Sequence, residues 1–207
     1  MTDTIAAQAP DQAPEPAPDH APMATIRKTA MWVFLGSECI FFGSLIATFL
    51  LYRTRTLDGP TASELFNVPF TSASSFILLM SSLTMVLAHN AWSRKDPRVM
   101  RIWLSSTALL GMLFLAGQVF EFTEFVHEGL KLSTSPFGSS FFVLTGFHGA
   151  HVAVGVIMLT AMVFMSLGGK LRTDQDEGMN VELVGLYWHF VDVVWIVIFT
   201  VVYLLQV

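Results

Sequence analysis

Long apolar runs separated by short polar connectors set the pattern of this chain. Residues 31–52 carry one charge, Glu38, and residues 70–92 and 102–120 carry none. Residues 139–167 form a further charge-free run, and residues 183–207 contain only Asp192. Each run supplies the roughly 20 mostly apolar residues that a membrane-crossing helix requires. None shows the alternation of apolar and polar positions in ~10-residue segments that marks a transmembrane barrel. Nor do the runs carry the single apolar stripe of helices that cover a soluble core. The pattern therefore predicts an all-α protein, an integral membrane bundle of five transmembrane helices. The spans fall at about 30–52, 70–92, 102–124, 139–167 and 183–206. The fourth is longer than a span needs, so it is expected to tilt or to begin among the headgroups.

Proline placement agrees. The prolines stand at 10, 14, 16, 18, 22, 60, 69, 97 and 136, which places them in the N-terminal tail, in connectors or at helix starts. There the missing N–H does no harm. Composition points the same way, since only 13% of residues are charged against about 25% in soluble domains.

Residues 1–24 differ from the rest. They contain five prolines and four acids and no lysine or arginine. Such a segment cannot bury enough apolar surface to order itself, and it lacks the basic start and short apolar core of a secretory signal. It is expected to be a disordered cytoplasmic tail before a five-helix domain at 25–207. Cys39, the single cysteine, has no partner for a disulfide within the chain.

Basic residues set the orientation. Arg27, Lys28, Arg94, Lys95, Arg98, Arg101, Lys170 and Arg172 fall on one side, against Arg53, Arg55 and Lys131 on the other. The N-terminus is thus expected in the cytoplasm and the C-terminus outside.

An ionisable group at the centre of a span costs roughly 2.5–3.5 kcal/mol on insertion scales, so each one needs a reason. Glu38, Glu121, His148, His151, His189 and Asp192 qualify, with Gln118 and Glu124 beside them. Glu38 enters with span one and His189 and Asp192 with span five, from the same side and to similar depth. The last two are also i,i+3 neighbours on one helical face. Depth alone predicts that Glu38 packs toward His189 and Asp192. Gln118, Glu121 and Glu124 lie toward the outer end of span three. His148 and His151 are i,i+3 near mid-membrane in span four, between glycines that permit close helix approach.

The chemistry these groups can support is narrow. A metal site needs three or more ligands at matched depth, whereas the polar groups here lie at separate levels. A proton transporter needs a polar relay across the ~30 Å core, and most of that core is apolar. No phosphate-binding loop, Cys-x-x-Cys or Ser-His-Asp arrangement is present, and nothing points to nucleic acid. The residues are expected to form no catalytic, cofactor or metal site. For both histidines the plain reading is interhelical hydrogen bonding or contact with lipid headgroups, within one subunit of something larger.

Four segments carry a resemblance. Tyr187-Trp188-His189-Phe190-Val191-Asp192-Val193-Val194-Trp195 resembles the last-helix signature of haem–copper oxidase subunit III. Phe141-Phe142-Val143-Leu144-Thr145-Gly146-Phe147-His148-Gly149-Ala150-His151-Val152 is similar to that family's other strong motif. Ser37-Glu38-Cys39-Ile40-Phe41-Phe42 resembles the segment with a buried carbodiimide-reactive carboxylate, at Glu38, and Gln118-Val119-Phe120-Glu121-Phe122 resembles the acidic helix-end motif. The likeness runs from about residue 29 to 207 and is closest to the short bacterial form with five spans rather than seven.

The resemblance implies a cofactor-free, non-catalytic subunit of a proton-pumping terminal oxidase in the bacterial plasma membrane, the complex reducing dioxygen to water. Its partners would be subunit I, which holds haems and copper, and subunit II. It would hold structural phospholipids and stabilise proton uptake through turnover. Cytochrome c is the expected electron donor. A quinol oxidase subunit, an accessory protein of nitric oxide reductase and an independent ion transporter remain the alternatives.

Overall fold

A computed structural model describes residues 23–56, 67–168 and 175–205. Most of the expected tail, and Lys170 and Arg172, lie outside the described residues. The helices are α1 (Met23–Tyr52), α2 (Val68–Ser93), α3 (Pro97–His127), α4 (Pro136–Leu167) and α5 (Gln175–Phe199). A π-helical turn, Thr200–Leu204, continues α5. Among the described residues five helices are long and apolar enough to cross a membrane.

The helices start where side chains cap them. Asn67 accepts from the Phe70 N–H ahead of α2, Asp96 from the Arg98 and Val99 N–H groups ahead of α3, and Ser135 from the Gly138 N–H ahead of α4. Each cap is followed by a proline in the first helical turn, where the lost N–H has no intrahelical partner anyway. These caps stand in polar flanks outside the apolar runs. For that reason α4 begins at Pro136, three residues before the span expected at 139. α1 begins at Met23, inside the segment expected to be tail.

α2 and α3 form a tight antiparallel hairpin, α3 packs on α4, α4 on α5, and α5 returns to α2. These four helices close a ring. α1 stands outside it, with its main contacts on α4 and α5.

The ring is pinned from α5 by two tryptophans seven residues apart. Trp188 is fully buried and donates its indole N–H to Ser81 Oγ of α2 at 3.0 Å. Its ring lies against Gly111 of α3 and Gly155 of α4, where an added Cβ would come within 2.6 and 2.7 Å of ring carbons. Trp195 donates to Ser75 Oγ of α2 at 2.8 Å. It also meets Phe114 of α3 edge-on and stacks on His148 of α4, both with centroids 4.8 Å apart. Each indole thus reaches all three other helices of the ring.

Candidate functional site

The polar residues of the spans sort into four places. The first lies between the ring and α1. Glu38 Oε2 of α1 stands 3.3 Å from His151 Nε2 of α4, and both side chains are about one-fifth exposed (18% and 19%). The Tyr187 hydroxyl of α5 donates to the His151 backbone carbonyl at 3.0 Å, and the Phe42 ring lies edge-on to the imidazole at 4.9 Å.

His151 Nδ1 lies 2.7 Å from the Phe147 carbonyl, one turn back on α4. A carbonyl oxygen only accepts, so Nδ1 carries a hydrogen. Nε2, the nitrogen facing Glu38, is then the one left to accept a hydrogen or to carry a second one. The pair contains nothing that would reduce or oxidise a substrate.

Equal depth does not bring Glu38 to His189 and Asp192. Glu38 joins His151 and the neighbourhood of Tyr187, not His189 and Asp192. On α5, Tyr187 and His189 are two residues apart and so point to nearly opposite sides of the helix. The side toward α1 takes Tyr187. His189 turns to α2, where its Nδ1 lies 2.7 Å from Ser82 Oγ.

Asp192, also toward α2, is the second place. It is 3% exposed. Ser82 is the polar side chain bearing on it, yet that hydroxyl is engaged with His189. Neither carboxyl oxygen makes a hydrogen bond among the described residues.

The third place is the aromatic cage around His148. This side chain is fully buried, stacked on Trp195 and edge-on to Phe114 and Phe42. Neither ring nitrogen has a hydrogen-bond partner among the described residues. The His151 side chain bonds to its own helix and faces Glu38 of α1, whereas His148 makes no hydrogen bond among the described residues and packs as an aromatic ring. No lipid headgroup can reach a side chain so enclosed.

The fourth place ties the end of the ring opposite the α2–α3 connector. Gln118 of α3 donates to the Thr145 carbonyl of α4 at 2.9 Å, and its side-chain oxygen fills the space over Gly149. Glu121 of α3 accepts a hydrogen bond from the Thr71 hydroxyl of α2. Glu124, on the same helix, is exposed.

Sequence reasoning missed the α2 hydroxyls Thr71, Ser75, Ser81 and Ser82, which receive Glu121, Trp195, Trp188 and His189. A signal existed. Buried Thr71, Ser75, Leu78, Ser81, Met85 and Ala88 recur at three- and four-residue steps, so Thr71, Ser75 and Ser81 lie on one face of α2, with Ser82 next to it. Among the described residues no group of three or more His, Cys, Asp or Glu side chains is placed to hold a metal ion.

Residues 19–207 match the family described as "Cytochrome c oxidase subunit III". The chain is 43% identical over 174 residues to "Cytochrome c oxidase subunit 3" of Bacillus sp. (strain PS3), covering 84% of this chain and 83% of the relative. It is 42% identical over 174 residues to "Quinol oxidase subunit 3" of Bacillus subtilis (strain 168), covering 84% of each. It is 39% identical over 181 residues to "Probable quinol oxidase subunit 3" of Staphylococcus saprophyticus, covering 87% of this chain and 89% of that one.

Proposed function

Because the chain belongs to the cytochrome c oxidase subunit III family, we propose that it is the non-catalytic subunit III of a terminal oxidase that reduces dioxygen to water and pumps protons. It packs on subunit I, which carries the haems and copper, alongside subunit II. It binds no redox cofactor itself, holds structural phospholipids, and keeps proton uptake stable through turnover.

The observation that carries this reading is how its polar groups are used. Trp188, Trp195, Gln118 and Glu121 bind other helices of the ring, and His148 is enclosed among rings. These contacts tie the four helices of the ring to one another. The Glu38–His151 pair stands at the margin, under α1 and partly exposed, where it acts as a local proton holder beside a partner or lipid.

The protein is a multi-pass membrane protein. Its N-terminus faces the cytoplasm in this reading, supported by the concentration of Arg27, Lys28, Arg94, Lys95, Arg98 and Arg101 at one end. Cytochrome c is the donor. A quinol donor is the second reading, favoured by the identity with the Bacillus subtilis quinol oxidase subunit.

Gentle purification of the tagged chain tests the proposal. Haem-bearing and copper-bearing chains should accompany it, and the complex should consume dioxygen with reduced cytochrome c. Oxidation of a quinol in place of cytochrome c would transfer the assignment to the second reading. Recovery of the chain without any haem protein would remove both.

A further inference from the structure

The seam between α2 and α5 holds a second set of titratable groups, apart from Glu38. A cavity of about 160 Å³ opens there, lined by His89 of α2 and by Glu182 and His189 of α5, with Met85, Gly185 and Leu186. It lies toward the basic end of the bundle. At that end Glu182 pairs with Lys28 Nζ of α1 at 2.7 Å, with their side chains 36% and 44% exposed.

From this cavity a short polar line runs inward. His189 lines the cavity and its Nδ1 meets Ser82 Oγ at 2.7 Å. Ser82 bears on Asp192, which lies almost one turn further along α5, is 3% exposed and has no hydrogen bond to either oxygen among the described residues. A negative charge there has no formed hydrogen bond among the described residues to balance it. A proton delivered along the line would do so.

The line also ends at Asp192. Trp188 and Trp195 flank it on the same helix, and their bonds to Ser81 and Ser75 are one-way, since an indole N–H only donates. The polar path enters from one side and does not continue to the other.

We propose that the α2–α5 seam is a proton-exchange site, in which Asp192 takes up and returns a proton through Ser82 and His189 from the cavity at His89 and Glu182. Solvent in the cavity gives a proton to His189 Nε2. The Nδ1 hydrogen passes to Ser82 Oγ as the serine hydroxyl hydrogen moves to the carboxylate. One proton has entered, the imidazole has changed tautomer, and no charge remains on it. The reverse step restores both groups. The charged and titratable neighbours of the route are His89 from α2, Glu182 from α5 and Lys28 from α1. Beside it, α2 and α3 are joined by the neutral Thr84–Thr107 hydroxyl pair, at 2.8 Å.

Infrared spectroscopy of the tagged full chain, purified with its native companions, tests this. Because the signal belongs to this chain whichever proteins accompany it, the result is separate from the oxidase assignment. Asp192→Asn should remove one carboxylic acid C=O band. In the unsubstituted chain that band should shift promptly on transfer to D2O. His189→Phe and Ser82→Ala should each slow the shift about tenfold or more, equal to ~1.4 kcal/mol on the barrier. His189→Gln can still hydrogen bond to Ser82 but cannot relay a proton, so it should slow exchange equally and serves if the Phe variant does not assemble. Exchange at the original rate in the His189 variants, or no carboxylic band lost in Asp192→Asn, would overturn the proposal.

Discussion

Glu38 and His151 face each other at 3.3 Å across the α1–α4 contact, and the other imidazole nitrogen is committed to the Phe147 carbonyl. Of the polar contacts described above, this pair and the Lys28–Glu182 ion pair reach α1 from the ring. A hydrogen between Nε2 and Oε2 would join α1 to α4 directly.

Replacing Glu38 by Gln keeps a donor for His151 Nε2 and removes the exchangeable acid. The haem content and initial oxygen-consumption rate of the assembled oxidase should stay near those of the unsubstituted enzyme, while activity decays at a different rate during sustained turnover. Oxygen-electrode traces of initial rate and of decay check this. Immediate loss of all oxygen reduction in a fully assembled complex would contradict a non-catalytic subunit.

At Gly155 the space for a side chain is already filled by the Trp188 ring, 2.7 Å from an added Cβ, whereas the corresponding position at Gly146 is open. Gly155→Ala should therefore destabilise the bundle by about 1–3 kcal/mol through overpacking. Gly146→Ala should be neutral, or stabilising by up to about 1 kcal/mol from helix propensity. Thermal unfolding of the two variants side by side decides the matter, and equal effects would show that Trp188 moves aside freely.

The indole bonds make a second quantitative test. A double-mutant cycle between Trp195→Phe and Ser75→Ala should return a coupling of about 0.6 kcal/mol, and no more than ~1.7, as for other hydrogen bonds between membrane helices. The same cycle for Trp188 and Ser81 should agree within that range. Zero coupling in both would mean that the rings, and not their N–H groups, hold α2.

His148 should tolerate loss of its nitrogens. Both are buried without partners among the described residues, while the ring faces are occupied by Trp195 and Phe114. His148→Phe preserves the stacking and should cost less than about 1.5 kcal/mol. His148→Ala empties the cage and should cost about 3–5 kcal/mol, as for loss of a large core ring. Unfolding midpoints in detergent distinguish the two cases, and an equal loss in both would assign His148 a polar role.

The sequence by itself determined the number of helices, the starts of α2, α3 and α4, and how deep each polar residue sits. Those features are local. Charge exclusion sets the spans, Asn67, Asp96 and Ser135 with their following prolines set the starts, and a fixed rise per residue sets the depth. The tertiary structure decided which groups meet. Glu38 and His189 enter from the same end, yet one faces His151 and the other Ser82, because rotation of a helix about its axis is independent of depth. In water an apolar stripe reveals that rotation. In a bilayer the lipid is as apolar as the core, so exposed Val33, Ile40 and Ile157 look no different in the sequence from buried Leu35, Phe42 and Leu159. Only packing, with two glycines yielding to Trp188 and a face of hydroxyls on α2 receiving the side chains of α5, chose among the rotations.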